Sequence, residues 1–218
     1  MSCIVVTGAS GNLGQAVCAR LLKDGASIFG LVHGERGLKD VETHATELTD
    51  EASVEAAYDA ATRKFGEISG SVHTAGGWEG GTVAATSVAT FEKMIAQNLR
   101  TTFLCCRAAA RRMKSGGRIV NVAAWQPAIG VGISGSAAYA AAKAGVIALT
   151  RAIAEEKSGI RASCVAPGTM RTAANAKAMP DADPSKWVPL EDVAEAIAYL
   201  VSPASGMVSG AVITFPAK

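Results

Sequence analysis

Short apolar runs alternate along this chain with longer stretches in which apolar residues recur every three to four positions. The run C-I-V-V-T at 3–7 reads as a buried strand, and the period then changes to that of an amphipathic helix from Asn12 to Lys23. A second strand is expected at Ser27–Val32 and a short third one near Ala45–Leu48. Thr49 or Asp50 opens the next helix, which runs to Phe65, because a side-chain oxygen there accepts from exposed first-turn N–H groups. Ser71–Thr74 forms strand four. A long helix covers Val88 to Met113 and stops at Gly116-Gly117, and R-I-V-N-V at 118–122 is strand five. Ser136 caps a helix that continues to Glu156. Strands at Arg161–Val165 and in A-V-I-T-F at 211–215 enclose a last helix from Leu190 to Leu200.

Seven short strands separated by helices imply an α/β chain of the Rossmann kind, with one doubly wound, mostly parallel sheet and helices on both faces. An eight-unit barrel would need another repeat. The 218 residues suit a single domain. Its ligand-facing loops are expected near 75–87, 124–135 and 168–189.

Composition narrows the function classes. With 49% hydrophobic residues and a formal charge of +2, the chain has neither the polarity of a disordered segment nor a basic surface for nucleic acid. No apolar run approaches the roughly 20 residues of a membrane span, and no basic leader precedes the first strand, so a cytoplasmic location is expected. Five cysteines without a C-x-x-C pair and three scattered histidines point to buried thiols and to no metal site.

The first strand-to-helix crossing carries candidate chemistry. In T-G-A-S-G-N-L-G, Gly8 makes the tight turn, Gly11 lets the backbone approach a pyrophosphate, and Gly14 brings helix and strand together. Ser10, Asn12 and Leu13 complete this turn, whose free N–H groups suit a dinucleotide. At the end of strand two, Val32 stands where a carboxylate commonly meets the adenosine ribose. His33 and Arg36 can approach a 2'-phosphate, which tilts the cofactor towards NADP(H) over NAD(H). Glu35 turned inward is the opposite option. Glu47 and Leu48, after strand three, are placed to cover the adenine, the alternative for Glu47 being a solvated or capping carboxylate.

Tyr139 and Lys143 stand four apart, on one face of a helix. A nearby ammonium favours the phenolate and lowers the barrier to proton loss from a phenol whose ordinary pKa is about 10. Tyr139 is therefore the candidate general acid of a reduction, with Lys143 also able to bind a ribose.

These elements together resemble the short-chain dehydrogenase/reductase family over nearly the whole chain: T-G-A-S-G-N-L-G, Thr74-A-G-G with Ala75, Gly76 and Gly77, Asn98 in Q-N-L, Tyr139-A-A-A-Lys143, and Pro167-G-T-M-R-T. The resemblance implies an oxidoreductase in which Asn98 supports a water and lysine relay. It also implies that Pro167, Gly168, Met170 and Thr172 lie over the nicotinamide, Thr172 having the alternative role of a helix cap. It further implies a homodimer or homotetramer, packed through the helices at 89–113 and 136–156. Within the family, A-G-G-W-E-G-G at 75–81, the V-A-A ending of strand five and the segment 179–191 are similar to the dihydropteridine reductases. Those enzymes also lack the usual active-site serine, here Ala124.

That absence has a chemical reading. Reduction of an isolated carbonyl concentrates charge on one oxygen, and losing one well-placed donor costs about 2.7–4 kcal/mol. A conjugated quinonoid ring spreads the incoming charge, so the donor matters less. Trp78, Trp125 and Trp187 follow strands four, five and six, on the ligand-binding side. They are expected to converge on a flat pocket for a planar heteroaromatic small molecule. Ser134 or Ser136 turned towards Tyr139, or backbone amides of W-Q-P-A-I-G, are the candidates to replace the missing donor. General carbonyl or alcohol oxidoreduction, and non-catalytic dinucleotide binding, are the alternative functions.

Overall fold

The computed structural model describes residues 2–35, 37–156 and 158–217. Seven strands form one all-parallel sheet in the order β3-β2-β1-β4-β5-β6-β7. They are β1 (Ser2–Thr7), β2 (Ser27–Val32), β3 (Glu42–Ala45), β4 (Glu67–His73), β5 (Arg118–Val122), β6 (Arg161–Pro167) and β7 (Val212–Phe215). The order reverses direction between β1 and β4, and ligands of open α/β sheets bind at such a switch, beyond the carboxyl ends of the strands.

Alternation along each strand feeds two cores. Cys3 and Val5 of β1 pack with α2 (Glu51–Phe65) and α4 (Thr101–Ala110) on one face. Val6 packs with α1 (Asn12–Lys23) and α8 (Leu190–Val201) on the other. Period-two side chains buried on both faces are what a parallel sheet covered by helices requires.

The remaining helices are α3 (Val88–Met94), α5 (Trp125–Ile129), α6 (Ala137–Glu155) and α7 (Ala173–Ala178). A π-helical turn at Ile95–Arg100 joins α3 to α4, so the expected long helix exists with its middle widened, and its regular part ends at Ala110. Strand three lies three residues earlier than its apolar pattern suggested. At the sheet edge Glu42–Ala45 is half exposed, and Leu48, which drew the expectation, belongs to the cleft beyond the strand. Asp50 caps α2 by accepting from the Ser53 N–H. Ser136 does not cap α6 with its side chain; its hydroxyl donates to the Ile133 carbonyl instead, at 2.9 Å.

Among the described residues one helix is long and apolar enough to cross a membrane, contrary to the reading of the sequence: α6, with a mean hydropathy of 1.2. In this fold it is a core helix, with Ala142, Lys143, Val146, Ile147 and Thr150 buried against the sheet.

Candidate active site

A cleft of about 810 Å³ opens at the carboxyl ends of the central strands. Its floor begins at the first crossing. Gly8 has φ +64°, and a Cβ on Gly14 would lie 2.1 Å from the Gly8 carbonyl oxygen, so only glycine lets α1 sit this close to β1. Gly11 precedes α1 without offering a side-chain cap. The N–H groups of the first turn are therefore directed out of the helix end beside Ser10, Asn12 and Leu13, which line the cleft. This cradle fits a pyrophosphate.

The adenosine side is built from the ends of β2 and β3. Val32 and His33 line it, with Thr46, Glu47, Leu48 and Thr49 opposite. Val32 is buried and carries no charge, while Glu35 is exposed. Glu47 accepts from the Thr49 hydroxyl at 2.6 Å and from its N–H at 3.0 Å. Those two bonds hold its carboxyl below the usual range. Arg36 lies outside the described residues.

Two short approaches set the centre of the cleft. A Cβ on Gly76 would fall 2.7 Å from Asn98 Oδ1 and 3.3 Å from Lys143 Nζ. Glycine at 76 thus lets the loop after β4 pass against both side chains. Asn98, fully buried in the π-helical turn, donates to the Gly77 carbonyl and to the Met94 carbonyl, each at 3.0 Å, and accepts from the Gly77 N–H at 3.2 Å. Its own carbonyl takes the Thr102 hydroxyl at 2.7 Å. The widened turn brings Gln97, Asn98 and Thr101 to the same cleft wall.

Lys143 is buried and donates to the Val122 carbonyl at 2.8 Å. Its ammonium lies 5.9 Å from the centre of the Tyr139 ring. Burial pulls Lys143 down to about 8 and pushes Tyr139 up to about 12. The expectation that the ammonium lowers the phenol is thus corrected: the lysine faces a carbonyl, and desolvation of Tyr139 outweighs it. Tyr139 keeps its proton at neutral pH and can donate it into the cleft.

Pro167, Gly168, Met170 and Thr172 line the opposite wall with Ala75 and Gly77. A Cβ on Gly168 would lie 2.9 Å from the Ala217 nitrogen. The Thr172 hydroxyl accepts from the Asn175 N–H at 3.0 Å, so it caps α7.

The tryptophans do not converge. Trp78 lines the cleft and is 69% exposed, whereas Trp187 is buried at 7%. Trp125 is half-buried at the start of α5. A 3-10 turn at Pro184–Lys186 leads Trp187 inward, where its large apolar area is removed from water. Ala124 is also buried, and the end of β5 presents Val122 and Ala123 to the cleft instead. Ser134 is exposed and does not line the cleft, and Ser136 is held by Ile133.

Comparison with known proteins places this geometry. The family model described as enoyl-(acyl carrier protein) reductase matches residues 8–215. Cis-4-hydroxycyclohexanecarboxylate dehydrogenase of Sinomonas cyclohexanicum is 36% identical, across 96% of this chain and 92% of its own. The chain belongs to the short-chain dehydrogenase/reductase family. Levodione reductase of Leifsonia aquatica is 34% identical, over 83% of this chain and 74% of its own. A short-chain dehydrogenase/reductase from Serratia marcescens superposes with a TM-score of 0.89 at 26% identity, covering 99% of this chain and 96% of that one. The protein is accordingly an NAD(P)-dependent oxidoreductase.

Several cleft residues were not singled out in the sequence, Leu31, Thr46, Gln97, Thr101 and Asn175, and Thr74 was named only within its motif. Thr74 had a visible signal, its hydroxyl standing next to the A-G-G turn, and it donates to the Thr7 carbonyl at 2.7 Å. Gln97 and Thr101 had none, because an ordinary helical period does not anticipate a π turn.

Proposed function

We propose that this enzyme reduces a planar, conjugated heterocycle of the quinonoid dihydropterin kind, with NADP(H) favoured over NAD(H). The observation that carries the reading is Ala124. It stands where the family resemblance expects a serine, carries no hydroxyl, and is buried at 3% exposure. Such a site is better matched to a ring that delocalises charge than to an isolated carbonyl. Trp78 supports it by adding an aromatic face to the cleft.

The residues present fit a dinucleotide. The Gly8–Gly14 turn would hold the pyrophosphate, Glu47 and Leu48 the adenine, and Pro167, Gly168 and Met170 the nicotinamide end. When bound, the reduced nicotinamide supplies a hydride. Tyr139 delivers the accompanying proton from its phenol oxygen to a ring nitrogen. The Lys143 ammonium, steadied by the Val122 carbonyl, opposes the negative charge left on Tyr139. Asn98 anchors the Gly77 loop and so fixes the wall facing Tyr139. The preference for NADP(H) rests on the absence of a carboxylate at Val32 and on exposed His33 in the cleft.

A panel of quinonoid 6-methyldihydropterin, cyclohexanones and simple ketones, each with NADPH and NADH, tests the reading. Turnover of the pterin with a kcat/KM well above that of the ketones is expected, and no turnover of the pterin overturns it. A ring alcohol or ketone is the second reading, favoured by the relative named for a hydroxycyclohexanecarboxylate. Self-association through α3, α4 and α6 accompanies either reading. Phe91 and Phe103 are 46% and 45% exposed on the first two of these helices, and light scattering would give the subunit count.

A further inference from the structure

Trp78 is a large apolar side chain left 69% exposed in a segment with Gly76, Gly77, Gly80 and Gly81 around it. Glycine-rich loops sample many conformations, and a free indole in such a loop would fold down onto apolar surface. Here Glu79 and Gly81, which follow Trp78, are tied to different elements. Glu79 accepts from the Thr90 hydroxyl at 3.0 Å and from Lys93 Nζ at 2.8 Å, both on α3. Gly81 donates its N–H to the Gly135 carbonyl at 2.7 Å, and its carbonyl takes the Ala137 N–H at 3.2 Å. That second bond caps the first turn of α6, two residues before Tyr139. Between these anchors, Gly80 lies under the indole: a Cβ there would meet Trp78 Cη2 at 3.0 Å, Cζ2 at 3.1 Å and the Gly135 carbonyl oxygen at 3.2 Å.

We propose that Glu79 and Gly80 are positioning residues which hold Trp78 at one fixed angle, as a wall on which a planar ring stacks at the cleft mouth. The inference rests on the planar-substrate reading above and deepens it. The far edge of the indole, at Cη2 and Cζ2, lies against Gly80, and its exposed remainder is left for a ligand. The Gly81 bond to Ala137 ties that wall to the helix carrying the proton donor. A ring stacked on Trp78 is thereby held in register with the Tyr139 hydroxyl.

The test uses the whole enzyme and four variants, Glu79→Gln, Gly80→Ala, the charge-swapped pair Glu79→Lys with Lys93→Glu, and Trp78→Phe as the reference for the indole signal. Gly80 does not have a positive φ, so alanine is tolerated in its conformation, and its Cβ presses on the indole and, at 3.2 Å, on the Gly135 carbonyl. An exposed ion pair is worth no more than roughly fivefold in binding. Glu79→Gln and Gly80→Ala are therefore expected to raise the KM for quinonoid 6-methyldihydropterin, and the Kd of unreactive 6-methylpterin, about three- to fivefold. The fall in kcat should be smaller than the rise in KM, NADPH binding should not change, and the charge swap should recover most of the loss. Fluorescence anisotropy of Trp78, taken as wild type minus Trp78→Phe, should fall in Glu79→Gln. Unchanged pterin binding in both single variants overturns the positioning role. If wild type ignores the pterin, the substrate reading fails, and the anisotropy decides the mount by itself: an indole as rigid in Glu79→Gln as in wild type overturns it.

Discussion

Strand β5 carries two kinds of buried polar chemistry on neighbouring residues. Asn121 belongs to a closed chain of side chains that crosses the sheet. The Tyr58 hydroxyl meets Ser71 Oγ at 2.7 Å, Ser71 Oγ meets His73 Nε2 at 2.8 Å, and His73 Nδ1 meets Asn121 Oδ1 at 2.7 Å. Asn121 Nδ2 donates to Thr150 Oγ1 at 2.9 Å, and Thr150 donates to the Val146 carbonyl at 2.7 Å. Since that last carbonyl can only accept, every proton in the chain has one direction, and His73 carries its own on Nδ1. Val122, one residue on, offers its carbonyl to Lys143. Beyond it, Tyr139 lines the cleft, and burial pushes its phenol up to about 12. Groups that hold the fold saturate one another, whereas the groups placed for chemistry keep a free donor. A satisfied network is rigid, and that rigidity is what lets an unsatisfied phenol stay aimed.

The sharpest break in this contrast is Tyr139→Phe. It removes the free donor and leaves the closed chain untouched, so kcat should fall about 10²- to 10⁴-fold. Melting temperature and NADPH affinity should stay near wild type. Turnover equal to wild type would take Tyr139 out of the mechanism.

His73→Leu is the converse experiment. It strands Ser71 and Asn121 in the core and should lower folding stability by about 2–4 kcal/mol in urea titrations. The wild-type chain also predicts an acid limb. Burial pulls His73 down from 6.5 to about 4, so between those values the unfolded state binds the proton and the folded state does not. Stability is therefore complete above pH 6.5 and is lost as pH falls towards 4, by on the order of 3 kcal/mol. His73→Asn should flatten that limb, and an unchanged slope would show that other groups cause it.

Lys143 gives a smaller effect with the opposite dependence on pH. Its ammonium titrates at about 8, and only the charged form opposes the phenolate. Reductase kcat should be level below pH 8 and fall about tenfold per unit above it, while Tyr139, at about 12, stays protonated. Lys143→Arg should move the fall to higher pH. A profile identical to wild type would separate the charge at 143 from catalysis.

How much of this was readable in the chain differs between the two regions. Many cleft residues, though not Gln97 or Thr101, carry local signals: glycines where a Cβ would strike Gly8 or Asn98, and a tyrosine and lysine at helical spacing. The seven strands declared themselves through apolar runs, except β3, whose half-exposed edge has no such run. The closed chain left no mark, because Tyr58, Ser71, His73, Asn121 and Thr150 come from four elements and meet only in three dimensions. The tryptophans misled for the same reason. Their place after strands four, five and six indicates a side of the sheet, but whether an indole turns to ligand or to core is decided by packing, and Trp187 went to the core.

Ala124→Ser probes the boundary between the two regions with the smallest expected effect. Ala124 is the residue before α5 and its backbone is extended, with no side chain to cap that helix. Serine fits such a position and can cap α5. Its hydroxyl then has two competing uses, accepting from the first turn of α5 or donating towards the substrate beside Tyr139. Where the second use operates even part of the time, simple ketones gain a second donor. Their kcat/KM should rise about tenfold, short of the full value of a preorganised oxyanion donor. The quinonoid ring, which does not concentrate charge on one oxygen, should gain less than twofold by the same argument. An equal rise for both substrates would mean that the absent hydroxyl carries no information about substrate. A rise for ketones alone would tie Ala124 to the choice of a conjugated ring.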